Sequence, residues 1–218
     1  MILEPIYPKI LSIRTLPNAH EDVLRSYGAD PEKHSALGLI TCDQDDPTFV
    51  ALDEATKNAN VDVVFARSFY AGSSFSSGRL SGEILGVLAA ENSDEIEEGL
   101  RAMRRCLEHD ACFYNGDSSG SIALFPHIIG SLGTYLSKEA GLEVGDAMAY
   151  LVAPPIEATI AFDAALKSAD VRLAKLFTPP TETNYAAAWL SGDLADCQVA
   201  AEAFARKVVE VGNNPLSY

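Results

Sequence analysis

The stretch Asp53-Glu54-Ala55-Thr56-Lys57-Asn58-Ala59-Asn60-Val61 returns 110 positions later as Asp163-Ala164-Ala165-Leu166-Lys167-Ser168-Ala169-Asp170-Val171, with Asp, both Ala, Lys and Val in the same places. A self-match at a fixed period decides the architecture before any single motif does, because it says how often one unit is built. Both copies read as a helix running into a strand. Upstream, Ala36-Leu37-Gly38-Leu39-Ile40 corresponds to Ala147-Met148-Ala149-Tyr150-Leu151 at an offset of 111, and each is a continuous apolar run of the kind that forms a buried strand. Downstream, Gly82-Glu83-Ile84-Leu85-Gly86-Val87-Leu88 corresponds to Ala186-Ala187-Ala188-Trp189-Leu190, after a connection that is shorter in the second copy. The chain reads as a tandem duplication.

Each copy ends in a helix. In the first, Asn92 with Glu95 three residues on makes an N-cap pairing, and Ile96, Leu100, Met103 and Leu107 form one apolar face. In the second, Asp193 is the expected cap, and Ala200, Ala203, Phe204, Val208 and Val211 recur at helical spacing. Each copy also opens alike. Residues 10–13 predict a strand, followed by a helix capped by Asn18 with Glu21 at its third position and stopped by Gly28. Residues 122–125 predict a strand, followed by a helix through Leu132, Tyr135 and Leu136 stopped by Gly141. The order in each copy is strand, helix, strand, helix, strand, strand, helix. That predicts an α+β sandwich with helices covering one side of a sheet, and domains at residues 1–112 and 113–218.

Composition narrows the function. The 218 residues are 48% hydrophobic, enough for one or two cores, and carry a formal net charge of −15. That charge repels phosphate backbones and anionic lipid heads, so neither nucleic acid nor membrane is an expected partner. The start Met1-Ile2-Leu3-Glu4-Pro5-Ile6-Tyr7-Pro8 has an acid and two prolines where an export signal would have a basic start and an apolar run. Cys42, Cys106, Cys112 and Cys197 follow neither a Cys-x-x-Cys nor a disulfide-dense pattern, which points to free thiols in a reducing compartment. No nucleophile elbow, phosphate loop, dinucleotide fingerprint or His-Glu-x-x-His helix is present.

The run Asp146-Ala147-Met148-Ala149-Tyr150-Leu151-Val152-Ala153-Pro154-Pro155-Ile156-Glu157-Ala158-Thr159 carries a resemblance. With the 163–171 segment, Leu37-Gly38-Leu39-Ile40, Asp45-Asp46, Arg67-Ser68-Phe69-Tyr70-Ala71-Gly72 and Glu182-Thr183-Asn184-Tyr185, it resembles the EutL family of ethanolamine-utilisation microcompartment shell proteins over the whole chain. The resemblance implies two circularly permuted bacterial-microcompartment domains of the ferredoxin-like α/β sandwich type. It also implies a homotrimer whose six domains imitate a hexameric tile, and a place in a microcompartment shell in the cytoplasm beside other shell proteins. No catalysis is expected.

Two constellations remain. The connection Gly72-Ser73-Ser74-Phe75-Ser76-Ser77-Gly78 is built from residues that do not pack a core, and its counterpart is Thr178-Pro179-Pro180-Thr181-Glu182-Thr183-Asn184-Tyr185. By themselves these are hairpin connections. The resemblance makes Gly72, Ser73, Ser74, Phe75, Gly78, Pro179, Pro180 and Glu182 pore-loop residues, with Gly72 and Gly78 as hinges of a gate for metabolites or bulky cofactors. The second constellation is acidic. Asp43, Asp45 and Asp46 follow the first buried strand and Glu157 follows the matching one; such acids cap helices or face water, and a carboxylate cluster also suits an ammonium group. The resemblance turns this into an ethanolamine site of Asp45, Asp46, Phe113, Glu157, Thr183, Asn184 and Tyr185, Phe113 entering through the resemblance alone. It also suggests zinc, for which His127 with Asp46 and Glu157 is the candidate set. Two other classes fit the pattern: an amine-binding ferredoxin-like sensor, and a small metal-dependent hydrolase using Asp45, Asp46 and Glu157.

Overall fold

In chain order the elements are β1 (Glu4–Ile6), β2 (Ile10–Leu16), α1 (Glu21–Ser26), β3 (Ala36–Cys42), α2 (Asp45–Asn58), β4 (Asp62–Ser68), β5 (Ile84–Ala90) and α3 (Ser93–His109). They continue as β6 (Phe113–Asn115), β7 (Ala123–Ile129), α4 (Thr134–Ala140), β8 (Met148–Ala153), α5 (Pro155–Leu166), β9 (Arg172–Phe177), β10 (Ala186–Ser191) and α6 (Leu194–Gly212). The structure is a computed structural model that describes residues 4–69, 82–117, 120–179 and 184–216.

The expected order of elements occurs twice, as β2-α1-β3-α2-β4-β5-α3 and β7-α4-β8-α5-β9-β10-α6. The sheets repeat as well: the antiparallel order β2-β3-β5-β4 matches β7-β8-β10-β9, to which β6 and β1 are added at one edge. Individual contacts agree. Leu16 pairs with Leu37 as Ile129 pairs with Met148, and Ala19 N donates to Ser35 O as Leu132 N donates to Asp146 O. Around α1 and α4 the two copies are therefore 113 positions apart, with Gly28 and Gly141 both at positive φ.

The division into units differs from the expected boundary. The N-terminal unit is Tyr7–Ala111 with Gly133–Leu136; the C-terminal unit is Cys112–Leu132 and the chain from Ser137, together with β1. The physical reason is pairing. Pro5 lies opposite Tyr114 and Ile6 opposite Phe113, so β1 satisfies its backbone on β6 rather than on the sheet that follows it in sequence.

In the N-terminal unit, alternation along β3 and β5 sends side chains to both faces of the sheet. Gly38 and Gly86 stand under α3 and α2, while Leu37, Val87 and Ala89 cluster with Leu24 of α1 on the other face. Helices thus cover both faces, not one. In the C-terminal unit, Ala149, Leu151, Ala188 and Leu190 pack under α5 and α6, whose alanines let Phe162 and Phe204 stack at 5.5 Å. Each large side chain buried this way contributes about 1.5–3 kcal/mol.

The caps are partly as expected. Asn92 accepts from Asp94 N and Glu95 N at 3.0 and 3.1 Å, but the Glu95 carboxylate turns to Asn60 N at 2.7 Å rather than back to its own cap. The cap of α1 is His20, whose Nδ1 accepts from Asp22 N at 3.2 Å; Asn18 instead takes a left-handed turn position, φ 48°, that asparagine tolerates. Asp193 occupies the cap position of α6 without a side-chain bond.

The Asp53 carboxylate lies deep inside the N-terminal unit. Asp53, fully buried, accepts Gly133 N at 2.7 Å on Oδ2 and Leu136 N at 2.8 Å on Oδ1, and Thr56 Oγ1 accepts Thr134 N at 3.0 Å. Three backbone donors that a helix start leaves open are answered together. A Cβ on Gly133 would strike Thr56 Oγ1 and lie 2.7 Å from Asp53 O, so only glycine fits. Burial lifts the Asp53 carboxyl above its ordinary range, opposed by the Gly133 and Leu136 N–H groups and by Lys57.

Candidate functional site

The acidic turn between β3 and α2 is built by the end of a buried strand and the start of a helix. Cys42 closes β3 fully buried, and Asp45 and Asp46 form the first turn of α2, both buried. Acids are stabilised there because helix N-termini concentrate unpaired N–H groups. Asp45 Oδ1 accepts Asp46 N at 2.9 Å, and Asp43 Oδ1 accepts Lys9 N at 2.7 Å.

Glu83, which sequence reasoning missed, joins this turn. Ile84 pairs with Cys42 across β5 and β3, and Glu83 N donates to Cys42 O at 2.7 Å. Gly82 makes the approach feasible: its φ is 68°, and a Cβ would collide with the Cys42 carbonyl. Burial raises the Glu83 carboxyl above its ordinary range, and Asp45 and then Asp43 push it the same way. Only the register of β5 on β3 would have found it.

The remaining predicted ligands belong to the C-terminal unit. Glu157 sits half-buried in the first turn of α5, behind Pro154 at the cap position and Pro155 at the helix start. Phe113 is brought against Phe125 at 5.0 Å and Tyr185 at 6.4 Å, and burial raises the Tyr185 phenol. Asn184, at φ 62°, turns the chain just before Tyr185. The structure thus assembles Asp45 with Asp46 in one unit, and Phe113 with Tyr185 in the other. Thr183 and the pore-loop residues Gly72, Ser73, Ser74, Phe75, Gly78, Pro180 and Glu182 lie outside the described residues, while Pro179 lies just beyond the end of β9.

Of the residues expected to hold zinc, His127 stacks on Phe125 at 5.1 Å, Asp46 lies in the first turn of α2 and Glu157 in the first turn of α5. Among the described residues, no three His, Cys, Asp or Glu side chains form a group that could hold a metal ion. His34 is structural, bonding Asp30 N through Nδ1 and Asp62 Oδ2 through Nε2 at 3.1 and 3.0 Å. All four thiols are free and buried; burial raises each, Cys106 to about 12, which is opposite to what a nucleophilic cysteine needs.

Comparison with known proteins agrees with this picture. The BMC domain family model matches residues 36–108. The bacterial microcompartment shell protein EutL of Clostridium perfringens is 45% identical over 98% of each chain, and EutL of Escherichia coli is 44% identical over 98% of this chain and 97% of its own. A crystal structure of the Clostridium perfringens protein superimposes with a TM-score of 0.95, covering 100% of this chain and 99% of that one. The chain, a duplicated microcompartment fold aligned end to end with these relatives, belongs to the EutL family of bacterial microcompartment shell proteins.

Proposed function

We propose that three copies close into a pseudohexameric tile of an ethanolamine-utilisation shell, with a gated central pore and an ethanolamine site at the acidic turn before α2. The observation that carries the reading is the duplicated fold: each chain brings two copies of one unit, so three chains supply six positions around an axis. Other shell proteins are its lateral partners.

Asp45, Asp46 and Glu83 support an ammonium receptor, since charge-assisted hydrogen bonds are about twice as strong as neutral ones. Glu157, Thr183, Asn184 and Tyr185 are the further residues of the proposed site, and Phe113 beside Tyr185 offers an apolar wall. The gate consists of residues 72–78 and 178–185, folded over the axis when closed and displaced to pass bulkier metabolites or cofactors. Ethanolamine favours the closed form; a differential affinity of about 1.4 kcal/mol shifts that equilibrium tenfold. Calorimetry of ethanolamine binding tests the ligand. Asp45→Ala and Glu157→Ala are each expected to weaken it, and unchanged binding in both overturns the site.

A further inference from the structure

We infer that the C-terminal sheet, at its end beside the start of α6, binds a linear aliphatic polyamine, its inner ammonium on Ser191 and its outer ones on carboxylates to either side. A cleft of about 410 Å³ opens there, lined wholly by the C-terminal unit, which is room for a small ligand. Ser191, the last residue of β10, lines it and is only 6% exposed. Among the described residues no side chain or backbone group bonds its hydroxyl. A buried hydroxyl without a partner is rare, and it costs free energy until a donor or acceptor answers it.

Strand register places the charges around it. Ser191 stands between Met148 of β8 and Arg172 of β9. Asp146 and Asp170 each lie two residues ahead of one of those neighbours, so they flank the hydroxyl from both sides, two strand spacings or about 10 Å apart. Asp193, at the cap position of α6 without a side-chain bond, and Asp196 complete the wall. Gly192 lets this turn come close, since a Cβ on it would lie 2.8 Å from Asp170 O. The acids are spread too widely for a metal ion, as no three His, Cys, Asp or Glu side chains among the described residues form a group that could hold one. Four carboxylates against the Arg172 guanidinium leave three negative charges, the complement of a triamine protonated at neutral pH as lysine is. Its ends make charge-assisted bonds to the flanking acids, and its inner N–H donates to Ser191 Oγ.

The first repeat closes the equivalent place. There Ala89 stands between Leu37 and Asp62, as Ser191 does between Met148 and Arg172, and it packs with Leu24 and Leu37. The buried His34 ring bonds Asp62 at 3.0 Å. Gly145 holds the position of His34, and a Cβ on it would meet nothing within 4 Å. The second repeat thus has a hydroxyl for a methyl, a guanidinium for a carboxylate and open space for a wedged imidazole.

Calorimetry with the full chain tests this, using spermidine and 1,8-diaminooctane, which keeps the length and end charges but has a methylene for the inner nitrogen. Wild type is expected to bind spermidine about tenfold more tightly than the diamine. Ser191→Ala, the residue β5 carries at that register, is expected to erase the difference by weakening spermidine alone. Asp146→Asn/Asp193→Asn keeps an acceptor at both places and is expected to weaken both amines at least about tenfold. Absent binding, equal wild-type affinities, or either variant binding as wild type does overturns the site; the last two reduce the binding to general attraction by a chain of net charge −15. Should a variant lose its circular dichroism, amide exchange of the wild type read by mass spectrometry takes its place. Spermidine is expected to slow exchange over residues 145–148, 169–172 and 191–197, and protection only elsewhere, or none, overturns the site.

Discussion

Replacing Asp53 with Ala leaves the Gly133 and Leu136 N–H groups, now answered at 2.7 and 2.8 Å, facing a methyl group in a buried place. A hydrogen bond to a charged partner contributes about 1.5–3 kcal/mol, so two amount to about 3–6 kcal/mol. Against this, the substitution removes a carboxylate whose burial is itself costly, as its raised pKa shows. The expected net destabilisation is about 2–4 kcal/mol at pH 7. Urea unfolding followed by circular dichroism measures it, and amide exchange localises it, with Gly133 and Leu136 expected to exchange at least about 30-fold faster. The pH dependence has a definite sign. Because the folded carboxyl lies above the ordinary 3.8, the fold favours its protonated form. Wild type therefore gains most over Asp53→Ala below pH 3.8, loses part of that margin as pH rises through the elevated value, and is flat beyond it. Equal stability at pH 7 together with unchanged exchange at both amides would refute the reasoning.

Glu83→Gln is expected to weaken ethanolamine binding about tenfold, a charge-assisted bond of roughly 1.4 kcal/mol. Because Glu83 is held above its ordinary 4.5, wild-type affinity should rise with pH through the window above that value; calorimetry showing constant affinity there counts against its role. Native protein at pH 8 should react only slowly with a thiol-specific chromogenic disulfide, since Cys106 is pushed up to about 12 and the other three thiols are raised and buried, whereas urea should release all four; immediate full reaction of the native protein contradicts this. Protease cleavage within residues 72–78 should slow on adding ethanolamine; identical rates with binding demonstrated would remove the coupling between ligand and gate.

The duplication was legible because Asp53 with Lys57 and Asp163 with Lys167 keep their spacing on α2 and α5. What those residues do was not legible. Asp53 is buried against a helix start and Asp163 pairs with Lys167 at 2.7 Å in solvent, a difference set by what covers each helix and absent from their shared identity. The element order followed from periodicity, but three residues containing a proline carry no period, so β1 and its pairing with β6 could not be read. Six residues of α1 carry too short a stripe to say which face of the sheet they cover. Of the candidate site, the acids were visible as acids in a turn. Glu83 needed the register of β5 on β3, and the contact of Phe113 with Tyr185 needed the tertiary fold. The zinc set was chosen by residue type across both repeats, with no local spacing to hold its members together.

The central claim is that this chain is a tile: two equivalent units per chain, three chains per ring, rings packed edge to edge. Electron microscopy of the purified protein in two-dimensional sheets tests it most directly. The account predicts a hexagonal lattice of tiles with six lobes, three-fold symmetric on averaging because the two repeats differ at positions such as Gly133 and His20. Lobes that remain six-fold identical at side-chain resolution, or particles of a single chain that never form a sheet, would contradict it.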